Sequence, residues 1–238
     1  MHTPITNVEE LKFDMIAQLE GLSRGDKVVI VIDSVGNLAS KKELEDAINE
    51  KSVADMSRAK ALKGLFRMTT PYLNMKDIPL LAVNHTYKEI GLFPRDVVSG
   101  GTGIYYSADN IWIIGRQQDK QGTEIKGYHF VINVEKSRYV KEKSKIPISV
   151  SWDGGVQHWS GLLDVAIAGN YVNKPSAGWY CRVDKSTGEL VEPKVREKET
   201  LNPDFWKPII EDTDFKQFIT NKYSILNNVV NLGKLDQH

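Results

Sequence analysis

Four groups of residues in this sequence have the types and spacing for chemistry on phosphate. The first is Asp33, which ends the run Lys27-Val28-Val29-Ile30-Val31-Ile32-Asp33-Ser34. A carboxylate at the end of an apolar strand stands at the crevice where open α/β sheets take their ligands. It can hold Mg²⁺ through water, and the ion in turn bridges nucleotide phosphates. The same placement also suits an aspartate that only starts a turn. The second is His85, which follows the apolar stretch at residues 78–84. Its ring titrates near neutral pH, so it suits a phosphate sensor and equally a hydrogen-bonded structural residue.

The third group lies between His85 and Gly103. It contains Lys88, Ile90, Gly91, Leu92, Phe93, Arg95, Gly100 and Gly101. Binding single-stranded DNA without choosing its sequence takes cations for phosphates and apolar wedges for bases. Glycine adds close backbone approach to phosphate. The alternative is a surface loop whose Ile90, Leu92 and Phe93 pack back on the core. The fourth group is Lys136 and Arg138, in a basic segment running to Lys145. At i and i+2 of a strand they point the same way and could neutralise a transferring phosphoryl group. Lys141, Lys143 and Lys145 read as a solvated turn.

Several elements must position these groups. Thr6-Asn7-Val8-Glu9 has the form of a capping box. Val8, Leu11, Met15, Ile16, Leu19 and Leu22 then follow at helical spacing, up to Arg24-Gly25. Residues 27–32 and 78–84 read as buried strands, because their apolar runs are continuous. Residues 36–52 read mostly as loop. A helix covers about 53–68, with Pro71 ending that region. The long segment 85–103 reads as a functional loop. Strands follow at 111–114, 128–134 and 146–152, and short helices at 162–167, 205–210 and 215–226. Two early strands separated by a helix, then strands in close succession, predict an α/β fold whose sheet has an antiparallel extension. Trp152, Trp159, Trp179 and Trp206 read as packing residues, and Asp153-Gly154-Gly155 as a turn.

The chain has 238 residues, with 31 basic against 31 acidic side chains, so no global basic field draws it to nucleic acid. Any such binding must use a local patch or loops. The single cysteine, Cys181, excludes an internal disulfide and suits a reducing compartment. The five histidines show no metal-site spacing. No apolar run approaches a membrane span, and no signal-peptide core is present. These features predict a soluble, cytoplasmic protein with no membrane partner.

The segments VVIVIDSVGNLASKKELEDA, PLLAVNH, SGGTGIYYSAD, NVEKSR, DGGVQHWSGLLDVAI and AGWY occur in that order. Together they resemble the RecA recombinase family, and most of all its T4-type phage (UvsX-like) branch, over nearly the whole chain. The resemblance implies a partial RecA-like ATPase core with a mixed sheet, lacking the P-loop strand. The core would span 1–167, with a small C-terminal α/β subdomain at 168–238. The implied activity is DNA-dependent ATP hydrolysis by a homo-oligomeric filament on single-stranded DNA, promoting homologous strand exchange in recombination and repair. ATP and Mg²⁺ are the implied cofactors.

By the same resemblance, Asp33 is the Walker B acid, holding Mg²⁺ through water, with Ser34 beside it. Residues 41–55 form a first DNA-binding loop and 86–101 a second. His85 senses the γ-phosphate. Ile90 wedges between bases with Phe93 nearby, and Lys88, Gly91, Arg95, Gly100 and Gly101 contact DNA, with Arg58, Lys60 and Lys63, on one helical face after the first loop, as weaker candidates for phosphate contacts. Lys136 and Arg138 reach the ATP of a neighbouring subunit.

The family's phosphate-binding loop, Gly-x-x-x-x-Gly-Lys-Ser/Thr, does not occur in the sequence. Its backbone N–H groups and lysine would hold the nucleotide phosphates. Without its strand, a buried apolar edge would lie open. The expectation is that a separate N-terminal P-loop half completes the sheet, or that the sequence is a piece of a longer protein, or a remnant. The alternative function is a DNA-binding or filament-interaction module without ATPase activity of its own.

Overall fold

The computed structural model describes residues 2–50, 56–92, 94–121 and 123–225. They fall into two compact units, Met1–Asp109 and Asn110–His238.

The first unit opens with helix α1, Val8–Gly21. Its cap lies one residue later than the Thr6-x-x-Glu9 pattern predicts. The Asn7 side chain accepts from the Glu10 N–H, and Glu10 reaches back to accept from the Thr6 N–H (2.9 Å) and hydroxyl (2.7 Å). Those bonds favour the ionised carboxyl and lower its pKa. Strands β1 (Ile30–Ile32) and β2 (Leu80–Ala82) pair in parallel, Ile30 opposite Leu80. Both are shorter than their apolar runs predict. They are also buried on one side only: Ile32 is in the core, whereas Val29, Val31, Leu81 and Val83 are exposed. Among the described residues nothing covers that second face.

Residues 36–52 are not mostly loop. Helix α2, Lys41–Ile48, starts in a full capping box in which Ser40 accepts from the Glu43 N–H and Glu43 from the Ser40 N–H (2.6 Å). Helix α3, Ser57–Lys76, runs through Pro71 instead of stopping there. Proline removes one ladder bond, but the buried stripe Leu62, Leu65, Phe66, Thr69 and Leu73 continues past it and holds the helix on α1 and β1. Asp77, in a left-handed conformation, closes α3. Lys76 donates to the Leu19 and Leu22 carbonyls at the end of α1. The predicted long loop contains an antiparallel ribbon, β3 (Thr86–Lys88) with β4 (Asp96–Val98), and is followed by the short helix α4, Thr102–Ser107.

The second unit carries an antiparallel meander in the order β5 (Asn110–Gln121), β6 (Glu124–Ser137), β7 (Lys145–Ser151), β8 (Gly155–Val156). Next come α5 (Leu162–Ala168) and a three-stranded sheet of β9 (Val172–Ser176), β10 (Trp179–Val183) and β11 (Leu190–Arg196). Helices α6 (Pro203–Glu211) and α7 (Phe215–Tyr223) follow. The sheet between the helices is missing from the helical pattern read off the residues, whereas the α/β subdomain implied by the resemblance includes strands. Its short, bulged strands carry only a weak alternation of apolar and polar residues. The core centres on Trp206, fully buried, stacked with Trp159 and donating its indole N–H to the Thr200 carbonyl at 2.6 Å. Phe205, Phe215 and Tyr171 complete the cluster. Trp179 lies under Arg196 at 4.0 Å, and Trp152 is exposed against Tyr128. Four of the five tryptophans thus divide between core and surface. The mixed α/β class holds throughout.

Candidate nucleotide and nucleic-acid site

Because β1 and β2 are adjacent and parallel, their carboxyl ends lie side by side. Asp33 follows β1 directly, with its side chain exposed. The Ser34 hydroxyl oxygen is buried, with no hydrogen-bond partner among the described residues. Residues 35–37 then form one 3₁₀ turn, Val35–Asn37, tied back to β2 by the Val35 N–H on the Val83 carbonyl at 2.9 Å. His85 stands just past β2, against that turn. Its Nε2 is 3.1 Å from Asn37 Oδ1. Its ring packs so closely on Gly36 that a Cβ there would fall 2.1 Å from the imidazole. Asp33, Ser34 and His85 are therefore brought together, as their positions in the sequence predict.

A carboxylate beside an orphaned hydroxyl is a fair oxygen-donor set for a Mg²⁺ ion that arrives with phosphate and keeps most of its water. It is not a protein-only cage: the described residues contain no cluster of three or more acidic, histidine or cysteine side chains able to hold a metal. A groove of about 430 Å³ lies elsewhere in this unit, at the amino ends of the strands beside Gly25, Val28 and Pro79. Its lining includes Lys27, Asp26 and Asp77, but it lies away from the paired carboxyl ends of β1 and β2, where open α/β sheets take their ligands, so the strand ends are the better candidate.

The ribbon β3–β4 projects the second loop. Thr86 pairs with Val98 and Lys88 with Asp96, and the Glu89 N–H donates to the Arg95 carbonyl at 2.9 Å. At its tip Ile90 is 101 % and Leu92 91 % exposed. They do not pack back on the core. Phe93 lies outside the described residues. Gly91 has open space around it. Gly100 and Gly101 take positive φ, 93° and 80°, where the chain turns from β4 into α4. A Cβ on Gly100 would also meet Leu62 and Ile104 within 3 Å. Both glycines are thus demanded by the turn, whatever else they contact.

The cations of the loop have counter-ions. Lys88 pairs with Asp96 at 2.9 Å and Arg95 with Glu89 at 2.5 Å. Sequence reading missed these acids, although Lys88-Glu89 and Arg95-Asp96 place opposite charges at the two ends of one hairpin. Lys60 and Lys63 are exposed on α3. Arg58, expected at phosphate, is turned inward. Its guanidinium donates to the carbonyls of Leu38 (2.7 Å), Val35 (3.0 Å) and Gly36 (3.1 Å).

Of the first predicted loop, residues 41–48 are helix α2, and 51–55 lie outside the described residues. In the second unit, Lys136 sits on β6 opposite Ile111. Arg138 lies in the bend beyond the strand, where the Ser137 hydroxyl accepts the N–H groups of Tyr139 and Val140. The strand alternation that would align the two side chains therefore ends one residue too soon.

Residues 159–219 match the family described as bacteriophage T4, recombination and repair protein, C-terminal domain. The recombination and repair protein of Enterobacteria phage T4 is 51 % identical over 229 residues, 94 % of this chain and 59 % of that protein. Protein RecA of Fusobacterium nucleatum subsp. nucleatum is 25 % identical over 187 residues, 77 % of this chain and 48 % of its own length. Protein RecA of Tropheryma whipplei is 27 % identical over 164 residues, 68 % of this chain and 37 % of its own. The chain thus spans between about a third and three fifths of these relatives.

Proposed function

Since the chain is a relative of the T4-type phage and RecA recombination proteins, we propose that it is the part of such a recombinase that grips single-stranded DNA. The reading rests above all on the hairpin tip. Two aliphatic side chains, Ile90 and Leu92, stand almost wholly in water between Lys88 and Arg95. A folded chain exposes such residues together at a cost unless they meet a partner. Apolar wedges flanked by cations suit unstacked bases on a phosphate backbone.

In this reading Lys88, Ile90, Gly91, Phe93, Arg95, Gly100, Gly101 and Lys60 face the DNA. Asp33 and Ser34 face the Mg²⁺ of a nucleoside triphosphate, held through water, and His85 faces its terminal phosphate. Bound there, the ion supplies charge neutralisation at the phosphates. Lys136 and Arg138 serve the triphosphate of a neighbouring copy in a filament. The core occupies 1–167 and a C-terminal subdomain 168–238, and the filament works in the host cytoplasm. No helix among the described residues is long and apolar enough to cross a membrane.

The phosphate-binding loop comes from a P-loop half outside this sequence, seated on the sheet of the first unit. The open face of Val29, Val31, Leu81 and Val83 supports this. So does the sequence, which nowhere contains Gly-x-x-x-x-Gly-Lys-Ser/Thr.

Fluorescence anisotropy with a labelled homothymidine oligonucleotide tests the DNA reading, and ATP hydrolysis with Mg²⁺ tests the nucleotide reading. Salt-sensitive binding without turnover by the chain alone is expected. Absence of binding at low salt overturns the DNA assignment. DNA-stimulated turnover by the chain alone overturns the need for a second half.

A further inference from the structure

Arg58 occupies the first turn of α3, and its guanidinium is almost fully used. Nε donates to the Leu38 carbonyl at 2.7 Å, and Nη2 to the carbonyls of Val35 at 3.0 Å and Gly36 at 3.1 Å. Nη1 points to the Ser99 hydroxyl at 3.5 Å. The three carbonyls belong to the turn immediately after Asp33 and Ser34. Ser99 belongs to the other side of the site, at the close of the second loop. Its N–H donates to the His85 carbonyl at 2.9 Å, and its carbonyl accepts from Asn84 Nδ2 at 2.8 Å. His85 in turn touches Asn37 in the first turn. The contacts close into a ring: turn, Arg58, Ser99, His85, Asn37, turn.

We infer that Arg58 is a positioning residue that couples the end of β1 to the second loop. The inference rests on the reading above, in which those two places meet nucleotide and DNA. The physical argument is one of geometry and donor count. A planar guanidinium presents five N–H groups in a fixed fork and can hold several carbonyls at once, which a lysine ammonium on a flexible stem cannot reproduce. Its bonds are charge-assisted, hence stronger than neutral ones. A shift of the turn after Asp33 therefore moves Arg58, and through Ser99 it shifts the root of the hairpin. A contiguous bonded network of this kind is what can carry a coupling energy between two sites. Used this way, Arg58 is not a phosphate contact, although its type and place in the sequence suggest one.

Three measurements on the full chain test this. The first uses the unaltered protein: phenylglyoxal labelling read by mass spectrometry, without DNA. Arg58 should react at least about tenfold more slowly than exposed Arg24, because its donors are engaged. Reaction at the rate of Arg24 overturns the clamp, and this measurement decides even if an Arg58 variant does not fold.

The second is amide hydrogen exchange in Arg58→Lys. The Val35 and Ser99 amides should exchange about ten- to a hundredfold faster, as local opening becomes easier. Affinity for a homothymidine oligonucleotide should fall while its salt dependence stays unchanged. In the charge-removing Arg58→Gln, a log–log salt slope smaller by about 0.7, with exchange unaltered, marks a lost phosphate contact instead and overturns the inference.

The third reads coupling itself. In the unaltered chain the oligonucleotide should slow exchange at both 96–100 and 34–38, and in Arg58→Lys at 96–100 alone. Equal protection of 34–38 in both proteins overturns the coupling. If the unaltered chain binds no oligonucleotide, the DNA reading fails by itself, and the labelling and exchange results still decide whether Arg58 holds the ring.

Discussion

Removing the two acids of the second loop should strengthen its grip on single-stranded DNA. Lys88 and Arg95 are held by Asp96 and Glu89 at 2.9 and 2.5 Å, on a hairpin whose four charges cancel. For either cation to meet a phosphate, its ion pair must open. The side chains of the two pairs are 68 and 37 %, and 75 and 48 %, exposed. Solvent screens them, so each is worth only about 0.2–1 kcal/mol. Relieving both in Glu89→Gln/Asp96→Asn should therefore gain about 0.4–2 kcal/mol, or roughly two- to thirtyfold in affinity.

The salt dependence should change as well. In the unaltered hairpin, added salt weakens the internal pairs as it weakens the DNA contacts, so the two effects partly cancel. With the acids gone only the second remains, and the slope of log K against log salt should steepen. The assay is oligonucleotide anisotropy over a salt series. Glu189→Gln/Glu211→Gln, which changes net charge equally at exposed positions of the second unit, serves as the control for general electrostatics. Affinity and slope that move no further than in the control would refute the view that Lys88 and Arg95 leave their acids to bind DNA.

Ile90→Ser/Leu92→Ser should lower affinity for the oligonucleotide several-fold, yet leave the melting temperature almost unmoved, because surface changes usually stay within about 0.5 kcal/mol; a large loss of stability would mean that the tip packs on the protein. Ser40→Ala removes both the cap of α2 and a 2.5 Å contact between the Ser40 and Ser57 hydroxyls, and should cost about 0.5–2 kcal/mol in denaturant unfolding. Trp206→Ala should cost about 3–5 kcal/mol, seen as faster exchange in the second unit; retained protection there would show that the cluster collapses around the cavity. The Tyr171 hydroxyl is pushed up to about 12 by burial, by its hydrogen bond to Asp214 and by that carboxylate's charge. The unfolded chain releases this proton near pH 10, so the stabilisation is complete below pH 10 and is lost as pH rises towards 12. Absorbance titration near 295 nm should find a late-titrating tyrosine that is absent in Tyr171→Phe.

What could be read from the sequence was decided locally. Asp33 and His85 were placed correctly because an apolar run marks a strand, and a strand's end fixes where its next residue lies. Helix α2 was missed, although Ser40-x-x-Glu43 forms a capping box, because its charged surface lacks the apolar periodicity that usually announces a helix. Pro71 misled in the opposite direction: one lost bond weighs less than a buried stripe that runs through Leu73. The apolar run at 27–32 predicted burial on both faces. One face instead carries exposed Val29 and Val31, and in the proposed assembly this is the face the second half covers. The strands β9–β11 escaped because their bulges interrupt the alternation from which strands are read.

The site shows a different limit. Arg58, Lys88 and Arg95 are all cations close to one proposed ligand, and by residue type they are interchangeable candidates. The structure separates them by what they already hold. Arg58 is bonded to three backbone carbonyls, and withdrawing it would leave those carbonyls needing new donors, about 1–3 kcal/mol for each that stays buried and unmet. Lys88 and Arg95 hold exposed carboxylates that water can solvate at once, so their release costs little. The same charge is therefore a structural clamp in one place and an available phosphate ligand in the other. The difference lies in the solvation of the partner left behind, which no count of basic residues contains. By this reasoning Arg58→Ala should destabilise the first unit more than Lys88→Ala and Arg95→Ala together. Denaturant unfolding measures the ranking, and the reverse order would return Arg58 to the surface of the site.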